Sequence, residues 1–420
     1  MYRTRSIGLI VVACGFFGKN IAAAEWELKG ELGQQFQYND NFSLTPVRQE
    51  SVAGYLLNPR FHTSRKTGNL DLAVDGQADI RRYSDSRWDC DNFNLGAKSE
   101  YRTRRSIFNL NGGYGVNCTY SQQIVDTGLI LPNSQSENYL LAPSWTWQWT
   151  ARDQLILDAS YTKTSYNNSQ NGIASSNHSF SFSGNDTYTV GLGGNHQWSR
   201  RLVLNEKLYF SNIQYTSSNA STQNLFGFQL GGNYKINRLW KINANAGPVW
   251  VDARMDDSST IASAGSSSWT VGHVANINLH YDGRLTQFST GYSNALNPSA
   301  IGQTLQNQSL FANYSYRLAR HLMMNLSGIY SLNESIANNS INRSNGQFDR
   351  TYFTVAAGIT WDLTKHWQLR GSYAYNWQNY RQPQSQQNLD GIANLNVGSS
   401  ESNVVMLFLN YSWDGIRLSR

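Results

Sequence analysis

Along most of its length this chain alternates apolar and polar residues in stretches of about a dozen, each running into a turn or a polar loop. The connections alternate short and long from end to end. A period of two puts successive side chains on opposite faces, so every stretch has one apolar and one polar face. So many two-faced strands exceed what a soluble sandwich uses. They predict an all-β fold: a transmembrane antiparallel up-and-down β-barrel of the bacterial outer membrane, with lipid outside and water inside.

Eighteen strands are predicted, over residues 26–38, 51–64, 69–83, 92–103, 107–120, 138–149, 154–166, 185–198, 202–215, 223–234, 240–254, 268–281, 285–293, 304–316, 321–332, 349–361, 367–380 and 402–413. Boundaries carry a few residues of play, so sixteen to twenty strands fit the pattern. Tight connections such as Arg65-Lys66-Thr67-Gly68 and Asp282-Gly283-Arg284 are assigned to the periplasmic side. Longer loops rich in Ser, Asn and Gln, such as 167–184, 255–268 and 382–387, are assigned to the outside. Each short turn carries Arg or Lys, whereas Asp85, Asp89, Asp91, Asp256 and Asp257 fall in outer loops.

The first 24 residues read as a signal peptide: Arg3 and Arg5, an apolar run from Ile7 to Phe17, and Ala22-Ala23-Ala24 before the cleavage point. Val11-Val12-Ala13-Cys14 resembles a lipoprotein box, but the apolar run continues past it through Phe16 and Phe17. The barrel is then residues 25–420. Only 15% of residues are charged and 13% are aromatic, against about a quarter charged in soluble domains. Removing Arg3, Arg5 and Lys19 lowers the net charge from +6 to +3, with no basic run, which argues against nucleic acid.

Alternation assigns faces. Phe108, Leu110, Tyr114 and Val116 share one face, with Asn109, Asn111 and Asn117 on the other. Trp240 with Trp250, and Trp367 with Trp377, are ten residues apart on the apolar face, which predicts one indole at each membrane interface. Glu206 breaks the rule by sharing parity with Leu202, Leu204, Leu208 and Phe210, so a bulge, a shifted register or a protein neighbour is expected there. Tyr411-x-Trp413 resembles the aromatic C-terminal signal read by the barrel assembly machinery, although Asp414 to Arg420 follow it.

Charged residues gather on the polar face of the second to fourth strands: Arg60, His62, Asp71, Asp75, Asp79, Arg81, Lys98, Glu100 and Arg102. Pairing by numbers that sum to about 177 would set Asp79 opposite Lys98 and Asp75 opposite Arg102. Such a strip lines a lumen that selects solutes, or it is an ion-pair ladder in a polar wall. With the turn of the fourth and fifth strands near residues 104 and 105, Cys90 comes close to Cys118, and an oxidising compartment predicts their disulfide. The seven histidines are scattered, and neither G-x-S-x-G nor H-E-x-x-H occurs, so no catalytic set, metal site or cofactor is assigned.

The run Tyr38-Asn39-Asp40-Asn41, then Ser51 through Arg60, Arg65-Lys66-Thr67-Gly68 and Arg81-Arg82-Tyr83, resembles outer-membrane proteins of the β-barrel porin 2 type. That resemblance, strongest over the first hundred residues, implies a barrel with a transport role, in a group associated with exopolysaccharide or exosortase loci. The expected protein is a porin-like channel for small polar solutes, in contact with outer-membrane lipid and lipopolysaccharide. The alternatives are a part in polysaccharide export and a structural barrel with a closed lumen.

Overall fold

A computed structural model describes residues 24–46, 49–123, 134–167, 182–216, 221–255, 267–300, 302, 304–335, 349–380 and 398–419. The signal segment 1–23 and most of the long loops 167–184, 255–268 and 382–387 lie outside the described residues. Eighteen strands follow: β1 Glu25–Asn39, β2 Val52–Lys66, β3 Leu70–Tyr83, β4 Cys90–Arg102, β5 Ser106–Cys118 and β6 Gln135–Gln148. Next come β7 Asp153–Asn167, β8 Asn185–Gln197, β9 Leu202–Tyr215, β10 Ser221–Lys235, β11 Trp240–Met255 and β12 Ser267–Asp282. The last six are β13 Thr286–Pro298, β14 Thr304–Ala319, β15 Leu322–Ser335, β16 Arg350–Asp362, β17 Trp367–Tyr380 and β18 Gly398–Ser419.

Each strand pairs antiparallel with the next in sequence, and β18 pairs with β1, so the sheet closes on itself. Closure satisfies backbone groups that lipid cannot. The predicted faces hold: large apolar side chains such as Trp26, Phe36, Leu110, Leu208, Trp250 and Leu407 are exposed on the outside. The inner face is dominated by Asn, Gln, Ser, Thr and charged residues, as in the facing pairs Asn243↔Asn278, Asn313↔Ser327 and Asn376↔Ser402. An apolar exterior around a polar interior is the architecture of a membrane-spanning barrel.

Three differences from the sequence reading have physical causes. β18 runs to Ser419 instead of ending near residue 413. Opposite β1 the register steps from Leu28↔Ile416 to Gly30↔Trp413, so Asp414 and Gly415 together face Lys29. This bulge, with Gly415 at φ +80°, switches the outward parity from odd to even and hides the continuing alternation. β13 extends five residues beyond the predicted 293 because its polar SNALN end lacks an apolar stripe. Glu206 produces neither a bulge nor a shifted register: its ladders to Gly194 and Leu230 are continuous, and it stays exposed on the outer face. A Cβ at position 194 would lie 2.9 Å from the Glu206 Oε1 atom, so Gly194 makes its room. Four residues along a tilted strand from the Leu202 end is only about 10 Å of depth, within reach of the interface.

Candidate functional site

The wall formed by β1 to β4 concentrates charge because alternation brings every second residue inward on four neighbouring strands. All nine predicted residues have inner parity. Their partners differ from the prediction: Arg81 faces Cys90, Asp79 faces Asn92 and Asp75 faces Gly96, a register six residues lower in sum than expected. The β3–β4 connection is compact, which moves the centre of the hairpin toward the N-terminus. Asp85 caps a short 3₁₀ turn at Ser86–Trp88 by accepting from the Arg87 N–H, and the Arg87 guanidinium holds its carboxyl below the usual carboxylate range.

The strip divides into paired and unpaired charges. His62 Nδ1 and Asp75 Oδ1 are 2.6 Å apart. Asp79 accepts from Asn58, from Asn92 Nδ2 at 3.4 Å and from Arg81 Nη2 at 3.3 Å. Arg81 also donates to the Tyr120 hydroxyl at 2.7 Å. Arg102 contacts Glu100 and lies 4.0 Å from Asp71. Across the lumen Lys207 pairs with Asp158 at 2.9 Å. Among the described residues, Arg60, Lys98 and, on β17, Arg370 form no ion pair. Lys98 faces Asn111 and Ala73, not the predicted Asp79.

Two cavities meet at this wall. One, of about 840 Å³, is lined by Arg60, His62, Asp75 and Asn138 and reaches Gln123 and Pro298 at the long-loop end. The other, of about 1010 Å³, is lined by Gln35, Arg370 and Phe408 and reaches Thr364, Lys365 and His366 in a short turn. Glu31 and Arg60, neighbours in register across β1 and β2, line both. Lys29, Glu31, Arg370 and Phe408 were missed from sequence. Alternation of Glu27, Lys29 and Glu31 on the first strand was the available signal for two of them.

The first outer loop turns inward above these cavities. Phe42 packs against Tyr83, Trp88 and Tyr120. Leu44, at φ +49° and 1% exposed, offers its carbonyl to Ser400 Oγ at 2.7 Å and to Gln378 Nε2. Asn41 donates to the Glu401 carbonyl at 2.9 Å, and Asp40 accepts from the Asn403 N–H at 2.7 Å. Beside this loop, Cys90 and Cys118 form the predicted disulfide, with Cα atoms 6.1 Å apart. Trp250 and Trp367 are exposed on the outer face, Trp240 and Trp377 are half-buried there, and Tyr411 and Trp413 share that face.

No protein-family model matches the chain, and no curated protein matches it. Solved structures with a similar course include Pseudomonas aeruginosa OpdQ, at 14% identity and TM-score 0.45, covering 92% of this chain and 98% of that one. Acinetobacter baumannii OccAB4 is similar at 11% identity and TM-score 0.48, covering 96% and 100%. Pseudomonas aeruginosa OpdK, solved with vanillate, is similar at 12% identity and TM-score 0.44, covering 94% and 99%.

Proposed function

We propose that this chain is an outer-membrane channel that passes small polar solutes passively through a water-filled lumen. The observation that carries the reading is the pair of cavities, joined at Glu31 and Arg60, that together reach from the long-loop end to a short turn. Where the two cavities meet, Arg60 and Arg370 outnumber Glu31 among the unpaired lining charges, with Asp362 further off at the short-turn end, so the junction favours anionic over cationic solutes. The other strip residues, His62, Asp71, Asp75, Asp79, Arg81, Lys98, Glu100 and Arg102, act as the polar wall that holds this field. Export would use the signal peptide over 1–24, and folding the barrel assembly machinery, with Tyr411 and Trp413 in the terminal strand as its signal. Trp240, Trp250, Trp367 and Trp377 would sit at the two interfaces, against lipid and lipopolysaccharide.

The test is single-channel conductance of the mature protein in a planar bilayer, with oligosaccharides of graded size. Steady conductance, reduced by sugars small enough to enter, is the expected result. Arg60→Glu should lower the anion-to-cation permeability ratio several-fold. A silent bilayer with a demonstrably folded barrel would overturn the reading and leave a structural barrel with a closed lumen. A second reading, a part in exopolysaccharide export, is supported by the wall beside the strip, where Asn138 on β6 and Thr162 and Thr164 on β7 offer saccharide hydroxyls both donors and acceptors.

A further inference from the structure

One seam of the barrel is incomplete. The ladder between β12 and β13 runs from Asp282↔Gln287 to Ala275↔Asn294 and stops, although both strands continue. Residues 267–274 of β12 remain paired to β11 on the other side, and β13 remains paired to β14 as far as Pro298↔Thr304. β13 therefore parts from β12 while staying paired to β14, and β14 stays paired to β15 as far as Leu305↔Ser335. The end of β13 leans inward, where Leu296 packs against a buried cluster of Ile213, Leu225 and Val249 on the inner face of β9 to β11. The Ala300 carbonyl accepts from the Ser183 N–H at 2.7 Å, and the Tyr215 and Thr304 hydroxyls are 3.1 Å apart.

Side chains span the split in place of backbone bonds. Asn294 Nδ2 donates to the His273 carbonyl at 3.0 Å, and Leu296 lies over Gly272, where a Cβ would stand 3.4 Å from its Cδ1. The lips differ in chemistry. On β12, Trp269 and Val271 point outward and are 62% and 66% exposed. On β13 and β14 the corresponding parity carries amides beside Leu296: Gln306, half-buried, donates to the buried Asn294 at 3.1 Å, and Gln308 accepts from the Tyr292 hydroxyl at 3.2 Å. Elsewhere on the exterior this parity is mostly Leu, Val and aromatic residues, with charged exceptions such as Glu206, Lys163 and Glu401. Directly behind the split is a cavity of about 370 Å³, with an apolar side of Tyr209, Ile213, Leu225, Val274 and Leu296, a polar side that includes Thr189, Gln229, Asn245 and Asn276, and no charged residue.

We propose that this split is a lateral port, through which a small uncharged amphiphile moves between the cavity and the outer leaflet of the membrane. The apolar side takes the hydrocarbon part, and the amides of the β13–β14 lip take a hydroxylated head. Two side-chain contacts part at far lower cost than a run of ladder bonds inside lipid, where each unsatisfied backbone group costs several kcal/mol. That makes this seam, of the eighteen, the one that opens. The port rests on the membrane-barrel reading above but not on conduction through the lumen.

The probe is an octyl glucoside carrying a diazirine in its alkyl chain, added to liposomes that contain the full mature chain, irradiated and mapped by peptide mass. Cross-links are expected on peptides holding Val274, Leu296 or Ile213. They should fall by on the order of tenfold when Gly272→Cys/Leu296→Cys is bridged by a short bis-maleimide, and persist in the unbridged double variant. Undiminished labelling in the bridged protein would mean the cavity fills from the lumen, and would overturn the port. Absence of labelling in the native chain would overturn it as well. If the double variant does not fold, Leu296→Trp, which fills the cavity, should abolish the same cross-links. Conductance of the native chain is recorded separately, so channel and port can fail independently.

Discussion

At the scale of single residues, the barrel repairs its own interruptions. Pro59 sits inside β2, where it has no N–H to give the carbonyl of Ala78, and the β2–β3 ladder is interrupted between Leu57↔Ile80 and Arg60↔Gln77. Asn58, 2% exposed, sends its Nδ2 to that carbonyl at 3.0 Å and also meets Asp79. Asn58→Ala should therefore cost about 1–3 kcal/mol, read as a lowered urea midpoint in lipid vesicles, because two half-buried acceptors lose a donor. Asn111→Ala, on the same inner face but with no side-chain hydrogen bond among the described residues, should stay within about 0.5 kcal/mol of native. Equal losses for both would remove the special role of Asn58. Inner parity made all nine charged candidates legible from sequence. Their partners were not, since those depend on where the β3–β4 hairpin turns, and the Asp85-capped turn at Ser86–Trp88 gives only a short local signal.

Among the elements, β18 bears the closure of the barrel, and its bulge is the most demanding point of that seam. A Cβ on Gly415 would stand 2.0 Å from the Leu28 carbonyl oxygen, and its φ of +80° disfavours any L side chain. Gly415→Val should cost at least the ~1–3 kcal/mol of a strained backbone, seen as a lower unfolding midpoint and loss of the heat-modifiable folded band. Gly96→Ala, at a strand glycine with nothing within 4 Å of the new Cβ, should leave both unchanged. A Gly415→Val protein as stable as native would show that β18 ends near Trp413, as alternation alone suggests. The strands themselves were readable because a two-residue period is local. The inward path of residues 40–46 was not, since Leu44 docks on Gln378 and Ser400, more than three hundred residues away in sequence. The split seam left no local mark either: Asn294 and Gln306 read simply as polar strand ends.

For the whole molecule, orientation follows from the asymmetry of its two ends. Both termini of the paired sheet, Glu25 and Ser419, lie opposite each other at the short-turn end. That end also carries Arg65, Lys66, Arg104, Arg105, Arg152, Arg200 and Arg201. Basic short turns facing the periplasm put the inward first loop, the Cys90–Cys118 disulfide and the split seam on the cell exterior. A thiol scan tests this with one reagent, because both cysteines of the barrel are already joined. Gly68→Cys lies in a short turn with open space around its Cβ, and Thr216→Cys is exposed at the opposite end. A membrane-impermeant maleimide should label Thr216→Cys in intact cells, and Gly68→Cys only after the outer membrane is permeabilised. The reverse pattern would invert the barrel, place the β12–β13 split in the inner leaflet and expose the Thr364–His366 mouth to the medium. It would also exchange entry and exit for any solute that meets Arg60.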